Sequence, residues 1–139
     1  MADLNAFIET TLGELVTREL VNHVRPDQLH ETDTLPALVY WRVSGTHVQT
    51  IDGSKGKLCQ ARVTIESYSD SSRDEANAKM EIVRTTLINA VGTASGVDVR
   101  CILADEAQSH YVLMPSDGNS QLRYVTAMDY EFTFVEGLS

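Results

Sequence analysis

The chain has 139 residues, a formal net charge of −9, 42% hydrophobic residues and two cysteines. That length suits one domain with its own core, able to bury roughly two-thirds of the surface that its unfolded form exposes. The acidic balance argues against a nucleic-acid-binding module, whose affinity comes from Lys and Arg on phosphates, and the composition excludes wholesale disorder.

No run approaches the roughly 20 apolar residues of a membrane helix. Met1-Ala2-Asp3 lacks the basic segment and apolar run that open a secretory signal. Asp3 is an N-cap candidate, and Leu4, Phe7, Ile8, Leu12, Leu15, Val16, Leu20 and Val24 recur at three-to-four spacing. The spacing predicts an amphipathic helix over 3–24 that ends before Pro26. Each large apolar side chain on that stripe stabilises by roughly 1.5–3 kcal/mol when buried, so the helix must pack on a sheet. Residues 25–36 form a polar connector, long enough to suggest a functional loop.

Residues 38–44 alternate as a strand, with Val39, Trp41 and Val43 on one face and Leu38, Tyr40 and Arg42 on the other. Ser44-Gly45 marks a turn or bulge, and 47–51 continues or returns the strand. Asp52-Gly53-Ser54-Lys55-Gly56-Lys57 reads as a flexible tip. Over 58–68, Cys59, Ala61, Val63 and Ile65 point one way and Gln60, Arg62, Thr64 and Glu66 the other, as in a strand with one buried face. Ser72 and Glu75 have the spacing of a capping box. Ala76, Met80, Val83, Leu87, Ala90 and Val91 then follow helical spacing, with Gly92 as the stop.

A small-residue loop over 93–96 leads to a strand over 97–103, in which Cys101 alternates with Val97, Val99 and Leu103. Residues 108–114 read as another strand, and 115–120 as a turn. The last strand spans 122–135. Tyr124, Met128, Tyr130, Phe132 and Phe134 line one face, with Thr126 interrupting the row; Asp129, Glu131 and Thr133 line the other. The tail from Glu136 is expected to be mobile. The order of elements predicts a single α+β domain, a mostly antiparallel sheet with two helices packed on one face.

The motifs that carry chemistry do not form. Gly53-Ser54-Lys55-Gly56-Lys57 lacks Walker A spacing, has Leu58 where Ser or Thr is required, and leads into a strand instead of a helix N-terminus. His23, His30, His47 and His110 make no metal-ligand pattern. His23 is expected at a helix C-terminus as a favourable dipole contact. No GxSxG elbow exists, and Asp105-Glu106 reads as a solvated turn. Cys59 and Cys101 are expected as reduced, buried thiols, with no CxxC motif. Trp41 is expected in the core. No catalytic residue, metal or cofactor is assigned.

The run Leu35-Pro36-Ala37-Leu38-Val39-Tyr40-Trp41-Arg42-Val43-Ser44-Gly45 resembles a known family. The likeness continues through Asp52-Gly53, Ala61-Arg62-Val63-Thr64-Ile65-Glu66, the helix after Ser72 and the closing Asp129-Tyr130-Glu131-Phe132-Thr133-Phe134. These segments look like the small tail-completion, or tail terminator, proteins that join head to tail in long-tailed bacteriophages. The resemblance implies an α+β subunit of a ring, typically a hexamer, that caps the tail tube, ends its polymerisation and meets the head-completion or connector protein. DNA would pass through the ring without specific binding. The implied location is the virion's head–tail junction, after assembly in the host cytoplasm. Gln49, Asp52, Lys55 and Lys57 in one loop, and Arg25, His30 and Asp33 in the connector, are the expected contacts with neighbouring subunits and the tube. The alternatives are another neck or head-completion component, or a small-molecule-binding or enzymatic α+β domain.

Overall fold

The structure, a computed structural model, describes residues 4–29, 34–48, 57–90, 92–94, 97–104, 109–113 and 123–136. The elements run α1 (Leu4–Thr17), β1 (His23–Pro26), β2 (Ala37–Val48), β3 (Lys57–Ser69), α2 (Arg73–Ile88), β4 (Gly92–Ala94), β5 (Val97–Ala104), β6 (Ser109–Leu113) and β7 (Arg123–Glu136). The expected α+β architecture is present. The strands form one seven-stranded sheet in the order β1-β2-β3-β7-β5-β4, with β6 also paired to β7. Every pairing is antiparallel except β1 with β2, which is parallel.

The central ladder follows the sequence pattern. Cys59 pairs with Phe134, Ala61 with Phe132, Val63 with Tyr130 and Ile65 with Met128. All eight side chains are buried. On the helices, Leu4, Phe7, Ile8, Leu12 and Leu15 of α1 and Met80, Val83 and Leu87 of α2 close the same core. Thr126, the polar break in the apolar row of β7, donates to Asn77 Oδ1 at 2.6 Å, and Tyr130 donates its hydroxyl proton to Met80 Sδ at 3.4 Å. Two successive contacts, Asn77 to Thr126 and Met80 to Tyr130, lay α2 along β7 and satisfy both buried hydroxyls.

The start of α2 keeps half of the expected capping box. Ser72 is the N-cap, in extended conformation, and its hydroxyl accepts from the Glu75 amide at 3.1 Å. The Glu75 carboxylate does not return to the Ser72 amide. It accepts from the buried Ser69 hydroxyl at 2.7 Å, and that oxygen accepts from the Ser71 and Ser72 amides. Ser69 thus serves as a relay between the carboxylate and the free amides of the helix start. The helix ends at Ile88 with Asn89 as C-cap. Gly92 is therefore not its stop: Gly92–Ala94 pairs with Val97–Val99 as a short hairpin, where the sequence suggested a loop.

The first helix is shorter than its apolar stripe. It ends at Thr17, and Glu19 adopts φ 61°. The Leu20 amide bonds to the Leu15 carbonyl and the Glu19 amide to the Val16 carbonyl, the two hydrogen bonds of a Schellman cap. The residue in the left-handed position is a glutamate instead of glycine, so no local signal marks the stop. Val24 and His23 consequently lie in β1. His23 is thus not a helix-terminal residue as expected. We expect Glu19→Gly to raise stability by about 0.5–1 kcal/mol, because the left-handed conformation is strained for a residue with Cβ. A higher urea midpoint at unchanged slope is the measurement, and a lower midpoint contradicts the cap.

Two bulges change the phase of strands. On β2, Arg42 pairs with Val63 and Ser44 with Arg62, leaving Val43 as the extra residue. On β5, Val99 pairs with Phe134 and Cys101 with Thr133, leaving Arg100 extra. Val99 and Ile102 are therefore the buried pair of β5, while Cys101 is only half-buried and Leu103 is exposed. The expected single face of Val97, Val99, Cys101 and Leu103 breaks at this bulge. Both cysteines are free thiols, and only Cys59 is fully buried.

Candidate functional site

Of the seven residues singled out from the sequence, Arg25 and Lys57 fall among the described residues. Gln49, Asp52, Lys55, His30 and Asp33 lie outside the described residues. Arg25 belongs to β1 and not to a connector, because its backbone pairs in parallel with Val39. Pro26 is tolerated there since β1 is an edge strand. Arg25 Nη2 lies 3.4 Å from His23 Nδ1, and His23 Nε2 lies 3.5 Å from Thr34 Oγ1. Lys57 opens β3 and pairs with Glu136, so Glu136 belongs to β7 and not to a tail. Val39, the neighbour of Arg25, pairs with Glu66, nine positions along β3 from Lys57. At the rise of a strand that is roughly 30 Å, so Arg25 and Lys57 mark opposite ends of the sheet.

The sheet face opposite the helices is the stronger candidate surface, and its two ends differ. At one end Ala37, Val39 and Val125 are fully buried, with Trp41 and Tyr68 half-buried beside them. Trp41, expected in the core, is thus half-buried on this face. Glu66, at 7% exposure, sits in register between Val39 and Ala127. Its carboxylate accepts from the Tyr68 hydroxyl at 3.1 Å. Burial pushes the Glu66 carboxyl above the ordinary glutamate range, and the Tyr68 hydrogen bond partly offsets this. Burial first, and then the neighbouring carboxylate, hold the Tyr68 phenol well above its usual range.

The other end is polar and open. Gln60 and Arg62 are exposed, and Asp129, Glu131 and Thr133 are half-buried. Thr64 donates to Asp129 Oδ1 at 2.6 Å, and Arg62 Nη1 lies 3.9 Å from Asp129 Oδ2. Solvent screens that ion pair, so it positions side chains and adds little stability. Arg62, Asp129, Glu131, Leu103 and Ala104 line a shallow depression, with Leu103 59% exposed at its rim. In this depression Asp129 is held by the Thr64 hydroxyl and lies beside the Arg62 guanidinium.

Alternation along β3 and β7 shows which residues share this face. It does not distinguish Glu66, which is buried, from Gln60, which is exposed. The one available hint is that Glu66 faces apolar residues on both neighbouring strands, a property of register and not of local sequence.

Among the described residues no group of three or more His, Cys, Asp or Glu side chains could hold a metal ion. No helix among them is long and apolar enough to cross a membrane. Neither protein-family models nor curated protein sequences match the chain.

Proposed function

We propose that this protein is a structural subunit of a bacteriophage tail, a terminator that assembles as a ring on the tail tube, ends its growth and joins tail to head. The observation that carries this reading is the sheet face opposite the helices. Among the described residues, the end of that face away from the buried Ala37, Val39 and Val125 is polar and open to solvent. Its open end mixes Arg62, Asp129 and Glu131 with the exposed Leu103, a composition suited to a protein contact with a polar rim. The resemblance carried by residues 35–45 and by the closing strand supplies the identity of the partners. They are further copies of this chain in a ring, typically six, the tube protein on one side and the head-completion or connector protein on the other. DNA passes through the ring and is not gripped, in keeping with a net charge of −9. The place of action is then the head–tail junction of the virion, reached after assembly in the host cytoplasm.

Light scattering coupled to size exclusion over a range of protein concentrations, with electron microscopy of the protein alone and mixed with tail tubes, tests the proposal. Rings in solution or at tube ends are expected. If neither preparation yields rings, the reading fails.

A further inference from the structure

Glu66 is the one described acid whose carboxylate is buried on the face opposite the helices. Its register neighbours are Val39 and Ala127, with the buried Val125 and Ala37 in the adjoining row. Its hydrogen bond comes from a neutral phenol, Tyr68. Among the described residues, the titratable and charged groups on its side of the neighbouring strands include His23 and Arg25 of β1, Arg62 and Tyr68 of β3, and Arg123, Asp129 and Glu131 of β7. None of the basic groups forms an ion pair with Glu66: Arg62 is engaged with Asp129, and Arg25 lies against His23. A buried carboxylate without a cation is costly when ionised and far less so when neutral. Neutral, it can also keep the Tyr68 hydroxyl as a donor to its carbonyl oxygen.

We propose that Glu66 makes this face of the sheet a pH-responsive surface, closed around the side chain when the carboxyl is protonated and loosened when it ionises. Ionisation draws the carboxylate towards water, and the packing of Val39 and Val125 around it weakens. The sign follows from proton binding. The folded protein holds the Glu66 proton to higher pH than the unfolded chain does. Between the ordinary glutamate value and the raised folded one, the folded state therefore binds more protons, and stability falls as pH rises. Above that window the full penalty remains. The device does not require ring assembly and operates in a single subunit.

The test compares the full chain with Glu66→Gln, in which the amide keeps an acceptor for Tyr68 and cannot ionise. Thermal midpoints are measured from about pH 8 down to the ordinary glutamate value of about 4.3, below which the folded and unfolded chains are both protonated. The midpoint of the unaltered chain, relative to that of the variant, is expected to rise on acidification. The variant is expected to be the more stable at the alkaline end. Amide exchange at Val39 and Val125, corrected for intrinsic base catalysis, is expected to accelerate with pH in the unaltered chain only. Parallel pH profiles for the two proteins overturn the proposal. Should Glu66→Gln fail to fold, carboxyl carbon NMR of the unaltered chain decides. A Glu66 midpoint above the ordinary glutamate value supports the device, and one at or below that value overturns it.

Discussion

Replacing Phe132 by alanine is expected to lower stability by about 3–5 kcal/mol, the range for truncating a fully buried aromatic ring. Phe132 is 0% exposed. Its backbone neighbours across the sheet are Ala61 on β3 and Ile102 on β5, and the helical core residues close over it. Ala61 is too small to fill the space left behind, and the two ladders hold the strands at fixed separation, so the cavity cannot collapse. Domains of this kind are stable by only about 5–15 kcal/mol, so the variant should melt early or fail to accumulate as folded protein. Thr133→Ala is the matched control. It lies one residue further along β7, on the opposite face and half-buried, and should change stability by no more than about 0.5 kcal/mol. Denaturant unfolding followed by circular dichroism measures both. Equal effects from the two substitutions would refute the assignment of faces.

Single-residue deletions should separate the central strand from an edge strand even more sharply. Removing Thr64 from β3 leaves no favourable register. If residues before it shift, Val63, Ala61 and Cys59 turn out of the helical core. If residues after it shift, Ile65 turns out, and Glu66 and Tyr68 are driven beneath α2. The first choice forfeits burial worth roughly 1.5–3 kcal/mol for a large side chain such as Val63. The second forces a carboxyl into an apolar core, at a further cost of several kcal/mol. Because β3 is bonded to β2 and β7 over nearly its whole length, neither neighbour can absorb the slip. We expect no cooperatively folded protein. Removing Arg100 from β5 should leave a folded domain. Val99 and Cys101 already pair with consecutive residues of β7, Phe134 and Thr133, so loss of the bulged residue keeps both pairs and keeps Ile102 in the core. Soluble yield and a cooperative melt distinguish the two. A folded Thr64 deletion would show that β3 is not pinned from both sides.

The two deletions also locate the boundary between local and long-range information. Alternation along β3 and β7, the helical spacing of α2 and its Ser72 cap were legible in the chain, because each depends on neighbours within a few residues. The row Cys59, Ala61, Val63, Ile65 and its partner row on β7 follow from that period alone, as does an α+β domain with its helices on one face. The candidate contacts in the loops carried no comparable periodicity, and of the seven only Arg25 and Lys57 fall among the described residues, at opposite ends of the sheet.

What tertiary structure decided concerns residues whose state depends on a distant partner. The apolar stripe of α1 runs on to Val24, yet the helix stops at Thr17 because Glu19 takes a left-handed conformation and the following residues pair in parallel with β2. The bulges at Val43 and Arg100 reset which residues face the core, and each depends on the facing strand. Glu66 occupies a polar position in a regular alternation, and only the approach of Val39 and Ala127 from two other strands turns that position into a buried one. Period and propensity are properties of a segment, so the amino-acid order alone determined α2, β3 and β7 and the faces they bury. Burial, register and helix termination are free energies shared between segments remote in sequence, and these the folded sheet had to settle.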